Sequence, residues 1–131
     1  MNLKLKKTII ELIFWSHLVI VFIWFGLFFV PNSLWSNKTA FHFWFIVDIT
    51  TIQFFWGLIL YKYTKKVNII CPMTTLMQKL RGFPLKTKEN FAHSFIVECL
   101  GRLNVKVSYK TINLLLLITV VLVSIQYYLL D

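Results

Sequence analysis

The stretch that decides the fold is Leu12–Val30, LIFWSHLVIVFIWFGLFFV, which contains no Asp, Glu, Lys or Arg. An α-helix needs about 20 mostly apolar residues to cross a hydrocarbon core, and this run has that length and character. Pro31, Asn32 and Ser33 follow it as a turn-prone exit. Two similar stretches lie downstream. Ala40 to Tyr61 is interrupted by one charge, Asp48, and Thr111 to Leu130 is uncharged and rich in Leu, Ile and Val. The expected fold is an all-α membrane protein with three transmembrane helices, at about residues 10–31, 40–61 and 111–130, forming one domain over residues 1–131.

Composition agrees. In 131 residues the hydrophobic fraction is 58% and the aromatic fraction 18%. A soluble domain of this size has too little polar surface to cover so many apolar side chains, so the bilayer is the expected solvent. Trp15, Trp35, Trp44 and Trp56 lie nearer the ends of the spans than their centres, as interfacial tryptophans do. Trp24 is deeper, a position for packing between helices or facing lipid. The basic start before the first span resembles a signal peptide, but the run is long and no small-residue cleavage site follows, so it reads as an uncleaved span.

The net charge of +9 is not spread over a face that could hold nucleic acid. Ten of the 14 Lys and Arg residues lie between Lys62 and Lys110, three within the first seven positions, and only Lys38 between the first two spans. Because cytoplasmic loops retain positive charge, the expectation is a multi-pass protein of the cell (inner) membrane. Its N-terminus and residues 62–110 would be cytoplasmic and its C-terminus outside.

Residues 62–110 are expected to hold two short amphipathic helices. In the first, Pro72 opens and Gly82 follows the end. Met73, Leu76, Met77 and Leu80 recur at helical spacing as one apolar stripe. The second begins after Thr87, with Phe91, Phe95, Ile96, Cys99, Leu100 and Leu103 on its apolar side. Asn90, Ser94, Glu98 and Arg102 form its polar stripe, with Glu98 and Arg102 spaced for an i,i+4 ion pair. Neither can span the bilayer. They either lie in the cytoplasmic interface or fold back against the ends of the spans.

The segment Cys71-Pro72-Met73-Thr74-Thr75-Leu76-Met77-Gln78-Lys79-Leu80-Arg81 resembles the signature of a family of small bacterial integral-membrane proteins known only as a domain of unknown function. That signature reads Cys-Pro-Leu-Thr, two residues, Glu, then Arg four positions on. Cys71, Pro72, Thr74, Leu76 and Arg81 fit it, and Met73 is a mild change. Ser94-Phe95-Ile96 with Glu98 is similar to the family's Gly-Phe-Ile-x-His, and His17 and His42 have counterparts. Met77 stands at the family's glutamate position, Glu98 at its histidine, and the stretch between His42 and Cys71 is longer. The resemblance implies the three-span architecture and no assigned activity. If the family's Glu and His form a site, it also implies that part of that site is missing here.

Polar groups within spans are costly and so mark function or interhelical bonding. The candidate functional residues are His17, Asp48, Cys71, Thr74, Arg81 and Glu98. Asp48, with Thr51 and Gln53 near it, could relay protons or bind a cation, or simply bond to another helix. Depth counting at about 1.5 Å per residue separates His17 and Asp48 axially by roughly 8 Å, a gap a water bridges more easily than a direct contact. His17 and His42 lie at different depths, which does not suit axial ligands of one haem. Cys71 precedes a helix start, where a thiol pKa falls, yet no histidine is near it in sequence, so it reads first as a packing residue. No Cys71–Cys99 disulfide is expected in a cytoplasmic segment. No hydrolase, metalloprotease, P-loop or dinucleotide motif is present, and no cofactor or metal is expected.

Three functions are open on these grounds. The first is a non-enzymatic subunit or accessory factor of a membrane complex, with lipid and a homo-oligomer or membrane protein as partners. The second is an oligomeric transporter or proton-conducting unit using Asp48 and His17. The third is a membrane-interface enzyme or redox protein built on the Cys71 motif, with Glu98 and His93 as acid and base.

Overall fold

A computed structural model describes residues 1–130. It contains α1 (Leu3–Gly26), α2 (Lys38–Ile59), α3 (Tyr61–Thr64), α4 (Pro72–Leu80), α5 (Lys88–Phe91), α6 (Phe95–Arg102) and α7 (Tyr109–Ile125). A 3₁₀ turn, Leu27–Phe29, extends α1, and a π-helical turn, Gln126–Leu130, extends α7. The described residues hold no strand. With these extensions α1, α2 and α7 are long and apolar enough to cross a membrane, so the chain is an all-α protein with three membrane-spanning helices.

Side chains at the ends fix several of these helices. The Asn2 side chain accepts from the Lys4 amide at 2.9 Å, and Ser108 accepts from the Thr111 amide at 3.1 Å. Each satisfies an amide that has no helical acceptor. The short connection through Pro31 makes α1 and α2 antiparallel. On the far side of the bundle, Phe43 near the start of α2 stacks on Tyr127 beyond α7, with centroids 4.3 Å apart, so α7 is also antiparallel to α2. Trp24, Phe43, Ile46 and Val123 form the buried core there. Trp24 packs between helices rather than facing lipid: its indole N–H donates to Thr119 Oγ1 at 2.9 Å. In the same region His42 Nε2 is 2.8 Å from the Trp24 carbonyl.

After α3 the chain turns back. Lys65 adopts φ 57°, and residues 66–71 return along α2 until the Ile70 amide bonds to the Gln53 carbonyl at 3.2 Å. Gly57 makes this possible, since a Cβ there would stand 1.6 Å from the Asn68 carbonyl oxygen. Gln53 lies six residues before the end of α2, so Ile70 and Cys71 sit about 9 Å below that end at 1.5 Å per residue. From there α4 runs back beside α1, and its end, at Lys79 and Leu80, borders Lys6 and Met1.

The orientation of α4 differs from the sequence expectation. Its buried side is Thr74, Thr75, Met77 and Gln78, whereas Leu76 is 49% exposed. Of the expected apolar stripe, only Met77 is turned fully inward. The physical reason is that inward Thr75 and Gln78 find hydrogen-bond partners. Thr75 Oγ1 accepts from Trp56 Nε1 at 3.0 Å and donates to the Cys71 carbonyl at 3.3 Å. Gln78 donates to the Glu89 carbonyl at 2.7 Å and accepts from Arg81 at 2.8 Å. An apolar outer face needs no such partners when the surroundings are apolar too.

The second expected helix is divided. It breaks at residues 92–94, and Ser94 becomes the N-cap of α6, accepting from the Val97 amide at 3.5 Å. The expected Glu98–Arg102 pair is not made. Glu98 pairs with Arg81 of the α4 end, and Arg102 reaches Glu11 of α1 at 3.4 Å. Both arginines therefore form their ion pairs between different elements.

Candidate functional site

The return of residues 66–71 carries Cys71 into the bundle opposite α1. Cys71 Sγ lies 3.7 Å from His17 Nε2, a sulfur–imidazole hydrogen bond between groups 54 residues apart. On its other side the His17 ring is stacked on Phe95, with centroids 4.0 Å apart and planes 14° from parallel. His17 is 7% exposed, and its Nδ1 has no hydrogen-bond partner. A buried ring nitrogen left unbonded is uncommon, because desolvating it costs free energy that a partner would offset.

These groups line a half-open cleft, with a cavity volume of about 90 Å³, between α1, α2, α7 and the segment from Ile69 to Ile96. The wall has two characters. Ile20, Val21, Trp24, Phe25, Ile49 and Leu116 make one part apolar. Gln53, Cys71, Thr74, His93, Ser94, Tyr109 and Asn113 bring polar atoms to the rest. Mostly apolar walls with a few convergent polar groups are the usual lining of a small-molecule site, and at about 90 Å³ this cleft encloses a small group, the rest of any longer ligand lying along its open side.

His93, on the break between α5 and α6, adds a second titratable ring. Burial lowers its pKa below the ordinary histidine value; the Glu98 carboxylate raises it in part and the Arg81 guanidinium lowers it. Its Nε2 and Glu98 Oε2 are both buried without a hydrogen-bond partner. The Arg81–Glu98 pair ties the end of α4 to α6, and so holds Phe95 over His17.

The sequence candidates are thus unequally placed. His17, Cys71 and Thr74 meet in the cleft, while Arg81 and Glu98 form the tie beside it. Asp48 and Thr51 are exposed on α2 and do not line the cleft; only Gln53 of that trio does. The two cysteines are free, and Cys99 packs instead against the cluster of Phe14, Met77 and Phe95. Burial and the Glu98 charge raise the Cys99 thiol pKa, with Arg102 opposing them. Among the described residues no three His, Cys, Asp or Glu side chains are placed to hold a metal ion.

Thr75 and Gln78 escaped the sequence reading, and Asn90, expected on a polar stripe, is buried. Asn90 is 1% exposed and donates to the Phe83 carbonyl at 3.0 Å, fixing the turn between α4 and α5. The usable signal was the spacing of Thr74, Thr75 and Gln78, one polar helical face that must turn inward if the helix is surrounded by apolar groups. No family model, characterised protein or solved structure matches the chain, so its role has to be read from this cleft.

Proposed function

We propose that this small multi-pass membrane protein captures a lipophilic molecule bearing a polar head in the cleft between α1, α2, α7 and the returning segment. The observation that carries the reading is His17: a buried imidazole with one nitrogen on the Cys71 thiol and the other unbonded, in the wall of a cleft with both apolar and polar lining. The apolar wall suits an acyl or isoprenoid tail, and the polar groups from Gln53 to Ser94 suit its head. The protein would lie in the cell membrane with its N-terminus and residues 62–110 cytoplasmic, as the concentration of Lys and Arg there supports. The cleft would then open in the inner half of the bilayer. The likeness of residues 71–81 to the membrane family of unassigned function fits a site at that segment.

The test uses a long-chain fatty acid carrying a photoactivatable group and an alkyne, added to vesicles containing the full chain. Crosslinks confined to peptides around His17–Phe25 and Ile69–Thr74, and lost in Val21→Trp, support the reading. Crosslinks scattered over all three spans, unchanged in that variant, contradict it.

A second reading has its own observation. Within the apolar windows of the three spans, only 22%, 22% and 17% of residues are buried, so most of their surface meets lipid or another protein. That leaves room for a membrane partner or a second copy, the role of subunit or accessory factor. Gentle extraction followed by native mass spectrometry tests it: a stoichiometric partner or oligomer supports it, and a bare monomer contradicts it.

A further inference from the structure

We propose that Cys71 is a site of reversible S-acylation, charged within the cleft by exchange with a long-chain acyl thioester while His17 carries the proton. The proposal rests on the reading of the cleft as a lipophile site and names the chemistry done there. A cysteine beside a bilayer is a frequent acceptor of acyl chains, but that alone would not single out Cys71. Three further features of its setting do.

The first is the base. A thiol is a weak nucleophile until it loses its proton, and His17 Nε2 stands 3.7 Å from Sγ, within reach to accept it. The second is the apolar part of the lining, which includes Val21, Phe25 and Leu116 and offers a bed for the chain. The third is the start of α4. Pro72 has no N–H, and the Met73 and Thr74 amides are first-turn donors without a helical acceptor. Donors of this kind stabilise the negative charge that builds on a carbonyl oxygen under attack.

The step balances without an oxidant. The Cys71 S–H passes its proton to His17, and the thiolate attacks the carbonyl carbon of the donor. The new C–S bond forms as the donor's C–S bond breaks, and the leaving thiolate takes the proton back from His17 and departs as a free thiol. One thioester replaces another, so the exchange is close to thermoneutral, whereas an oxygen ester would be a poor donor. The ten Lys and Arg residues between Lys62 and Lys110 suit a donor whose carrier bears phosphates.

Cys99 is the internal control. It is also partly buried in the same segment, but it does not line the cleft; it packs against the cluster of Phe14, Met77 and Phe95, and burial pushes its thiol pKa upward.

The experiment incubates the full chain in neutral phospholipid vesicles with alkyne-tagged palmitoyl-coenzyme A and reads label released by hydroxylamine, assigned by peptide mass. The expected result is label on Cys71 well above Cys99, absent in Cys71→Ser and retained in Cys99→Ser. In His17→Gln its rate should fall about tenfold or more, as loss of a general base does. No label on Cys71, equal label on both cysteines, or an unchanged rate in His17→Gln overturns the proposal. The wild-type ratio of Cys71 to Cys99 decides even if a variant folds poorly. Photo-crosslinking of the fatty-acid probe to Cys71→Ser separates the two readings. If the cleft still crosslinks while wild-type Cys71 takes no acyl group, acylation falls and lipophile binding stands. If neither occurs, both fall.

Discussion

His17 Nε2 and Cys71 Sγ stand 3.7 Å apart, although 54 residues separate them in the chain. The contact depends on the return of residues 66–71 along α2, so the imidazole on the first span and the thiol before α4 form one unit. His17→Ala should slow alkylation of Cys71 by N-ethylmaleimide at neutral pH on the order of tenfold, through loss of the base that helps form thiolate. The same substitution should leave Cys99 unchanged. Peptide-resolved labelling rates in vesicles check both statements.

The return itself depends on Gly57. A Cβ there would stand 1.6 Å from the Asn68 carbonyl oxygen, so either α2 or the returning segment must move. Gly57→Ala should cost about 3 kcal/mol or more of stability, in the range of severe overpacking, and should separate Cys71 from His17. Gly101→Ala is the contrast. A Cβ there meets nothing within 4 Å, and replacing a helical glycine should gain about 0.5 kcal/mol. Thermal unfolding in detergent compares the two variants.

Arg81 and Glu98 tie α4 to α6, with side chains only 22% and 19% exposed. Arg81→Ala leaves a largely buried carboxylate unpaired, and Gln78 also loses the donor to its side-chain oxygen. The expected loss is about 2 kcal/mol, below the figure for a fully buried pair because some solvent reaches this one. Arg102→Ala should cost much less in ion pairing, since its pair with Glu11 is 42% and 51% exposed. Urea or heat unfolding of both variants tests the ranking.

His93 sets the direction of an acid dependence. Its folded pKa lies below the ordinary histidine value of about 6.5 because burial disfavours the charged ring; Glu98 opposes this, and Arg81 adds to it. Below pH 6.5 the unfolded chain binds a proton that the folded chain resists, so stability present above that pH is lost as pH falls toward the folded pKa. His93→Gln should flatten this part of the curve between about pH 7 and pH 5. Melting temperatures across that window, for both proteins in the same detergent, measure the difference.

Much of the architecture was legible because hydrophobic length speaks directly. Leu12–Val30 and Thr111–Leu130 are uncharged runs, and little but a bilayer-crossing helix accounts for them. The segment between spans two and three was legible in its helices but not in their facing. Met73, Leu76, Met77 and Leu80 do form a stripe, and in water that stripe would turn inward. Here the hydrogen-bond partners available to Thr75 and Gln78 decide the orientation instead. Glu98 and Arg102 have ideal spacing for a local pair, yet tertiary partners win both side chains. His17 and Cys71 were each singled out from the sequence, but nothing local could join them. Their meeting follows from Gly57 and the left-handed Lys65, two backbone features whose consequence is long-range.

On the proposed function, the Cys71–His17 cleft holds a lipophilic molecule. The most direct measurement is the N-ethylmaleimide alkylation rate of Cys71 and Cys99 in vesicles, with and without added oleic acid. Oleic acid is predicted to slow Cys71 and leave Cys99 unchanged, and the protection should disappear when Val21→Trp fills the apolar wall. Equal rates with and without oleic acid at Cys71, or equal slowing of both cysteines, would contradict the claim.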